Sequence, residues 1–469
     1  MDDVGSLFRK LFFPTLIGML SMSAVTTVDG IFVGHGVGSH GIAAVNICVP
    51  FLMVITGIGL MVGAGCSVVA SVCLSKGNYR RAREYVTEAM VFITVVAVVL
   101  VLPVWLCPEQ TAYMLGSSES LLPMVVDYLV WFAPSLIFEL WIALGLFVLR
   151  LDGAPRLAMW CSVVSAVANI FFDWLFIFPL GWGVMGAALA TSISCMIGAA
   201  IVLWYLAVGA RRLRLHVPVP SRRGLSQSFR NILEICRVGS SAMLGELTMA
   251  TLMFVGNHVF MRYLGDDGVG AFGVSCYYLP FVFMVGNAIA QSAQPVISFN
   301  YGRGLNDRVA SAFGISLRTA VVCGAISTAA FMFMPRVLTG LFLDLDDIVR
   351  VLAGERHAAV LARIAVDGFP YYGIGFIFFV VNLTVIGYCQ SLERVLPASL
   401  FAVMRGFLFL IPCFMLLPKL FGTVGIWMAL SVSEIMTSTA ALLYFIVCRR
   451  RWHQFRWMKN RWDYCRLHK

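Results

Sequence analysis

Hydrophobic residues in this chain run in long unbroken stretches, separated by short polar segments. A membrane helix needs roughly 20 apolar residues to cross about 30 Å of hydrocarbon. Runs of that kind lie near 11–33, 43–74, 85–106, 124–149, 157–178 and 184–208, and again near 232–261, 268–298, 309–334, 364–388, 397–417 and 424–448. The pattern predicts twelve transmembrane helices. Membrane β-strands are shorter and alternate in polarity, so a barrel does not fit. The first run is too long for the apolar part of a signal peptide, contains Pro14 and Asp29, and lacks a small-x-small cleavage site. It is expected to remain as the first span.

Composition points the same way. The chain is 60% hydrophobic and 12% charged, where soluble domains carry roughly 25% charged residues. Mean hydropathy is +0.88, so the expected class is an all-α integral membrane protein. The cysteines sit mostly in apolar runs (Cys48, Cys66, Cys161, Cys195, Cys323, Cys413) and none forms a C-x-x-C pair. They read as small hydrophobes, with neither a disulfide framework nor a metal site.

Charge sets the orientation. With twelve spans both termini share one side, and loops on that side hold 25 Lys and Arg against 6 opposite. The positive-inside rule then places both termini in the cytoplasm, with the chain in the cytoplasmic (inner) membrane. This bias explains the net charge of +10 without nucleic acid. The tail "RRRWHQFRWMKNRWDYCR" reads as an anchor for anionic lipid.

One mid-chain stretch, 209–231, is polar and rich in Arg and Pro. It divides the chain into lobes 1–208 and 232–448, followed by a basic tail, 449–469. The halves resemble each other. "GVGSHGIAAV" (36–45) aligns with "YLGDDGVGAF" (263–272), "KGNYRRA" (76–82) with "GRGLNDRVA" (302–310), and "GWGVMGAALATSIS" (181–194) with "KLFGTVGIWMALSVS" (419–433). The matches fall on Gly, Pro and Arg rather than on Leu and Val. Two like lobes around a cleft are a recurring transporter plan.

Several segments resemble the MATE multidrug and toxic-compound extrusion transporters. They are "PTLIGMLSMSAVTTVDGIFVGHGVGSHGIAAVNICVP", "LRLDGAPRLAM", "NIFFDWLFIFPLGWGVMGAALATSIS", "GVGAFGVSCYYLPFVFMVGNAIAQSAQPVISFNYGRG" and "FGTVGIWMALSVSE". The resemblance covers essentially the whole chain in order and is closest to the bacterial multidrug branch. It implies two pseudo-symmetric six-helix lobes forming a V-shaped cleft. It also implies antiport: export of amphipathic, often cationic organic compounds, driven by inward H⁺ or Na⁺, by a monomer in the bilayer without a cofactor.

Ionisable groups at membrane depth are functional candidates by default. Asp173 lies four residues after Asn169 and shares its helix face. The resemblance maps Asp29, Asn169, Asp173 and Thr191 onto the family's N-lobe cation site. Two carboxylates with amide and hydroxyl oxygens suit Na⁺, and a carboxyl kept from water can instead hold a proton. In the second half, Glu246 and Asn257 lie about 20° apart on one face. The stretch 368–388 has no Asp or Glu, which leaves Asn382 as the nearest polar substitute for an acid there. Gln291, Gln294 and Glu434 are further cleft candidates, with Arg405 a structural partner for Glu434. Glu139 is given no direct role.

Other classes fit less well. H-E-x-x-H, G-x-S-x-G and a Walker loop are all absent, so neither an enzyme nor an ATP-driven pump is expected. Gly36–Gly41 does fit G-x-G-x-x-G, but it follows a helix and the next acid is Glu84, so it reads as an external turn. The nearest alternative is a lipid-linked saccharide flippase of the same superfamily, whose cleft tends to carry several Arg or Lys. With Arg405 nearly alone at depth, the cleft is expected to favour neutral or cationic cargo.

Overall fold

A computed structural model describes residues 3–37, 39–117, 119, 121–215, 222–340 and 356–467. The middle of the expected linker (216–221) and the side chains of the basic tail lie outside the described residues. In chain order the long helices are α1 (Val4–Gly36), α2 (Ser39–Ser75), α3 (Tyr79–Leu106), α4 (Leu122–Leu151), α5 (Pro155–Ile177) and α6 (Gly183–Trp204). The second half begins with α7 (Ser226–Gly265), α8 (Asp267–Gly302) and α9 (Asn306–Phe333). Next comes α10, a bent pair of arms, Ala362–Gly373 and Gly375–Ser391, at 45° to each other. Val395–Val447 breaks at Gly422 into α11 (395–421) and α12 (423–447). That makes twelve helices of membrane length, and the described residues contain no strand.

Helix α1 starts earlier than its apolar run. The Asp3 carboxylate accepts from Ser6 N at 3.1 Å and caps the helix, adding turns that carry Val4 and Phe8. The chain reverses between α7 and α8 at Gly265 (φ 65°), after which the rings of Phe260 and Phe272 stack at 4.6 Å. Glycine is required there because a side chain strains a positive φ. The internal repeat appears in the same terms. Gly183 (φ 57°) and Gly422 (φ 59°) are equivalent in the alignment and share this conformation. Three residues on, Gly186 and Gly425 press onto Phe176 and Leu417 of the preceding helix.

The break in α10 costs backbone hydrogen bonds, which polar side chains replace. Ser431 Oγ donates to Tyr371 O (2.6 Å) and Tyr372 O (3.1 Å), and Thr328 Oγ1 donates to Gly373 O (2.8 Å).

Two large apolar cores form among the described residues, with two smaller clusters beside them. One draws on residues from Ala44 to Val238; the other runs from Met249 to Leu430 and recruits Val4, Phe8, Leu11 and Phe12 from α1. Hydrogen bonds between the halves gather toward the end of the bundle that carries the N-terminus. There Tyr85 donates to Glu234 (2.6 Å), Ser228 and Asn231 donate to Glu88 (2.6 and 2.8 Å), and Gln294 Nε2 donates to Ala64 O (2.8 Å). Backbones touch at the same level. A Cβ on Gly65 would strike the Ile235 carbonyl, and one on Gly239 would strike the Met61 carbonyl. Small residues allow this approach between membrane helices. Gly239→Val is therefore expected to destabilise the purified protein by about 1–3 kcal/mol, read as a lowered Tm in detergent. An unchanged Tm would mean that α2 and α7 do not depend on this crossing.

Candidate functional site

The first-half site follows from helix register. Helices α1 and α5 run parallel and touch where a Cβ on Gly18 would lie 3.4 Å from Ser162. Eleven residues is about three turns, so the same faces meet again near Asp29 and Asp173. Their carboxyl groups lie within hydrogen-bonding reach of each other. Asp173 is fully buried and Asp29 half-buried. Among the described residues, no donor reaches Asp173 Oδ1, Asp173 Oδ2 or Asp29 Oδ1.

Helix α6 packs antiparallel on α5 and completes the group. Asn169 Nδ2 donates to Thr191 Oγ1 at 3.4 Å, leaving Asn169 Oδ1 buried without a donor. The four first-half residues singled out in the sequence therefore come together. Two adjacent carboxylates cannot both stay charged in a low-dielectric interior without a proton or a cation to offset them. The orphaned oxygens supply a hard, oxygen-only donor set of the kind small cations use.

The MatE family model matches residues 14–175 and 242–415, which covers most of the chain and both halves of the repeat. The chain belongs to the MatE family. It is 25% identical over 442 residues to "Multidrug export protein MepA" of Staphylococcus saprophyticus, covering 93% of this chain and 92% of the relative. The MepA protein of Staphylococcus aureus strain MSSA476 is also 25% identical, over 447 residues. Among solved structures, the MATE multidrug transporter DinF-BH superposes with a TM-score of 0.81 at 26% identity, over 95% of this chain and 96% of that one. A MATE transporter in an outward-facing conformation superposes with a TM-score of 0.84 at 19% identity, over 96% of each chain. Family and neighbours alike are transporters.

In this MatE chain the second-half candidates divide into two groups. Glu434, Asn382 and Arg405 form one buried network. Arg405 Nε donates to Glu434 Oε1 at 2.6 Å, Asn382 Nδ2 donates to Glu434 Oε2 at 2.7 Å, and Ser438 Oγ donates to Asn382 Oδ1 at 2.8 Å. Glu434 and Asn382 were expected on the cleft surface. Instead they stand behind Arg405, and the guanidinium lines the cavity between the halves. The reason is charge pairing: a buried arginine needs its carboxylate, and that partner is drawn into the core.

Glu246 on α7 is buried at the interface of the halves, where its Cβ lies 3.6 Å from the position of a Cβ on Gly57 of α2. Asn257, about three turns away, is exposed, so the expected polar stripe does not close into one site. Gln291 is in the cavity wall, and its Oε1 accepts from Arg150 Nη1 at 2.5 Å.

Two residues carry more than the sequence reading assigned them. Glu139 is half-buried on α4 and accepts from Thr56 Oγ1 of α2 at 2.8 Å. Its position as an acid inside an apolar run was the available signal. Arg150 lies one residue past the predicted span 124–149. The structure places it in the last turn of α4, only 5% exposed, against the Phe147 ring and Gln291.

Proposed function

We propose that this chain is a secondary active exporter of amphipathic organic compounds, driven by inward H⁺ or Na⁺. The observation that carries the reading is the carboxyl pair Asp29–Asp173, whose oxygens no protein donor satisfies. The multidrug export proteins that align over nearly the whole chain support the cargo class.

The pair is repulsive when empty. A proton on one carboxyl, or a Na⁺ shared with Asn169 Oδ1 and Thr191 Oγ1, removes that repulsion and draws α1 toward α5. Helix α1 carries Pro14, a natural point of bending, and its lower turns rest on the second-half core. Cation entry therefore shifts α1 against the first-half helices and expels the cargo. With the termini in the cytoplasm, the closed end of the bundle faces inward and the cleft opens outward. Lobes 1–208 and 232–448, joined by 209–231, then rock about the α2–α7 crossing in the inner membrane. Glu246 and Glu139 offer a cationic cargo its counter-charge.

The test is expression in a bacterium stripped of its own pumps. Cells carrying the gene are expected to accumulate several-fold less of a cationic dye and to resist a broader set of amphipathic drugs. Unchanged accumulation across a cationic panel, with good membrane insertion, would overturn the export reading.

A further inference from the structure

At the end of the bundle that carries the N-terminus, an open crevice of about 430 Å³ lies between α1 and the start of α5. Its wall combines Arg9, Lys10, Phe13 and Pro14 of α1 with Pro155 and Arg156 of α5. Three cations from two separate segments therefore converge on one space, and all three are exposed. Among the described residues none of them has an ion-pair partner, and Arg9 Nε reaches only its own helix, at Gly5 O (3.4 Å). The two acids nearest in sequence are already engaged. Asp3 caps α1 through Ser6 N. Asp152 accepts from the Tyr205 hydroxyl and from the backbone amides of Arg211, Arg212 and Leu213. The positive charge in the crevice thus has no offset among the described residues.

Depth decides which kind of anion suits it. Arg9 and Lys10 directly precede the apolar run that begins near 11, and Arg156 directly precedes the one that begins near 157. The cations stand where both helices enter hydrocarbon. Further along each helix the same face turns apolar and stays exposed: Phe13 and Ile17 follow Arg9, and Trp160 follows Arg156. Each four-residue step lies about 6 Å deeper. A soluble anion uses only the charged rim. A phospholipid uses both parts, with its phosphate on the guanidinium groups and an acyl chain along the apolar row. Arginine takes phosphate oxygens in bidentate fashion, and basic pockets between membrane helices recur as headgroup sites. The volume falls in the range of small-molecule pockets, roughly 300–1,000 Å³.

We propose that this crevice binds the headgroup of an anionic phospholipid, of the phosphatidylglycerol type, from the leaflet at the N-terminal end of the bundle. The bound phosphate ties α1 to α5 beside Pro14, at the foot of α1. Asp29 lies about 30 Å further along α1, so the site is separate from the carboxyl pair and does not depend on the export reading.

The experiment is native mass spectrometry of the purified full chain, delipidated in neutral detergent and titrated with dioleoylphosphatidylglycerol or dioleoylphosphatidylcholine. Wild type is expected to bind one phosphatidylglycerol on the order of a hundredfold more tightly than phosphatidylcholine, from three basic residues at about fivefold each. Arg9→Gln/Lys10→Gln/Arg156→Gln is expected to lose that preference, whereas Arg9→Lys/Arg156→Lys keeps most of it. The three side chains are exposed, so both variants should hold the wild-type Tm without lipid. Saturating phosphatidylglycerol should raise the Tm of wild type and not of the triple Gln variant. Removing charge from the basic tail, with Arg449→Gln/Arg450→Gln/Arg451→Gln, should leave this tightest lipid in place. Glycerol phosphate at the same concentration should not displace it. Equal binding of the two lipids to wild type, or a preference that survives the triple variant and disappears with the tail charges, overturns the site. Displacement by glycerol phosphate would make the crevice a receptor for a soluble phosphate and overturn the lipid.

Discussion

Asp173→Asn is expected to abolish cation-driven efflux while the protein still folds and inserts. Asn keeps the shape of the side chain and fills the same space, but it can neither take up a proton nor balance a cation. Asp173 is fully buried, with both oxygens unsatisfied and Asp29 as its neighbour, so removing its charge ends the repulsion that cation entry relieves. The expected loss of gradient-driven flux is on the order of a hundredfold, the upper range of a coupling free energy between two sites. Asp29→Asn should give the same phenotype, because the pair acts as one unit. Dye binding without a gradient should survive in both variants. The check is flux per reconstituted molecule. Full activity in both variants would move the coupling role to Glu246.

The second large effect concerns stability. Glu434→Leu strands the Arg405 guanidinium, 1% exposed, without its counter-charge. Breaking a buried ion pair from one side costs about 3–5 kcal/mol, and the loss should appear as a strongly lowered Tm and poor recovery from the membrane. Replacing both partners with Leu should recover most of that stability, because two apolar side chains leave no buried charge. A double variant no more stable than Glu434→Leu alone would mean that Asn382 and Ser438, rather than the ion pair, hold this corner of the second half.

Much of the fold was legible because the membrane makes sequence informative. Spans had to be long and apolar, and the glycines that end them recur in both halves. Gly183 and Gly422, equivalent in the alignment, have nearly the same positive φ. The first-half site was legible for a related reason, since Asn169 and Asp173 share a face and an acid at depth stands out. Side-chain partnership was less visible. Two opposite charges at depth suggested the Glu434–Arg405 partnership, but nothing local shows that it draws Glu434 away from the cleft, or that Arg150 crosses from the last turn of α4 to Gln291 on the other half. Those contacts join residues 29 and 141 positions apart, and helix periodicity carries no information at that range. The stripe expected from Glu246 to Asn257 failed for the same reason: neighbouring helices decide which end of a face is covered, and here only Glu246 is covered.

The account depends most on the claim that a cation gradient drives transport through Asp29 and Asp173. The direct measurement is dye flux in proteoliposomes of the purified full-length protein, with a proton or a sodium gradient imposed separately. Wild type is expected to move dye against the flow of one of these cations, to stop when that gradient is collapsed, and to lose this response in Asp173→Asn. Dye flux that ignores both gradients, or that responds equally well in Asp173→Asn, would contradict it.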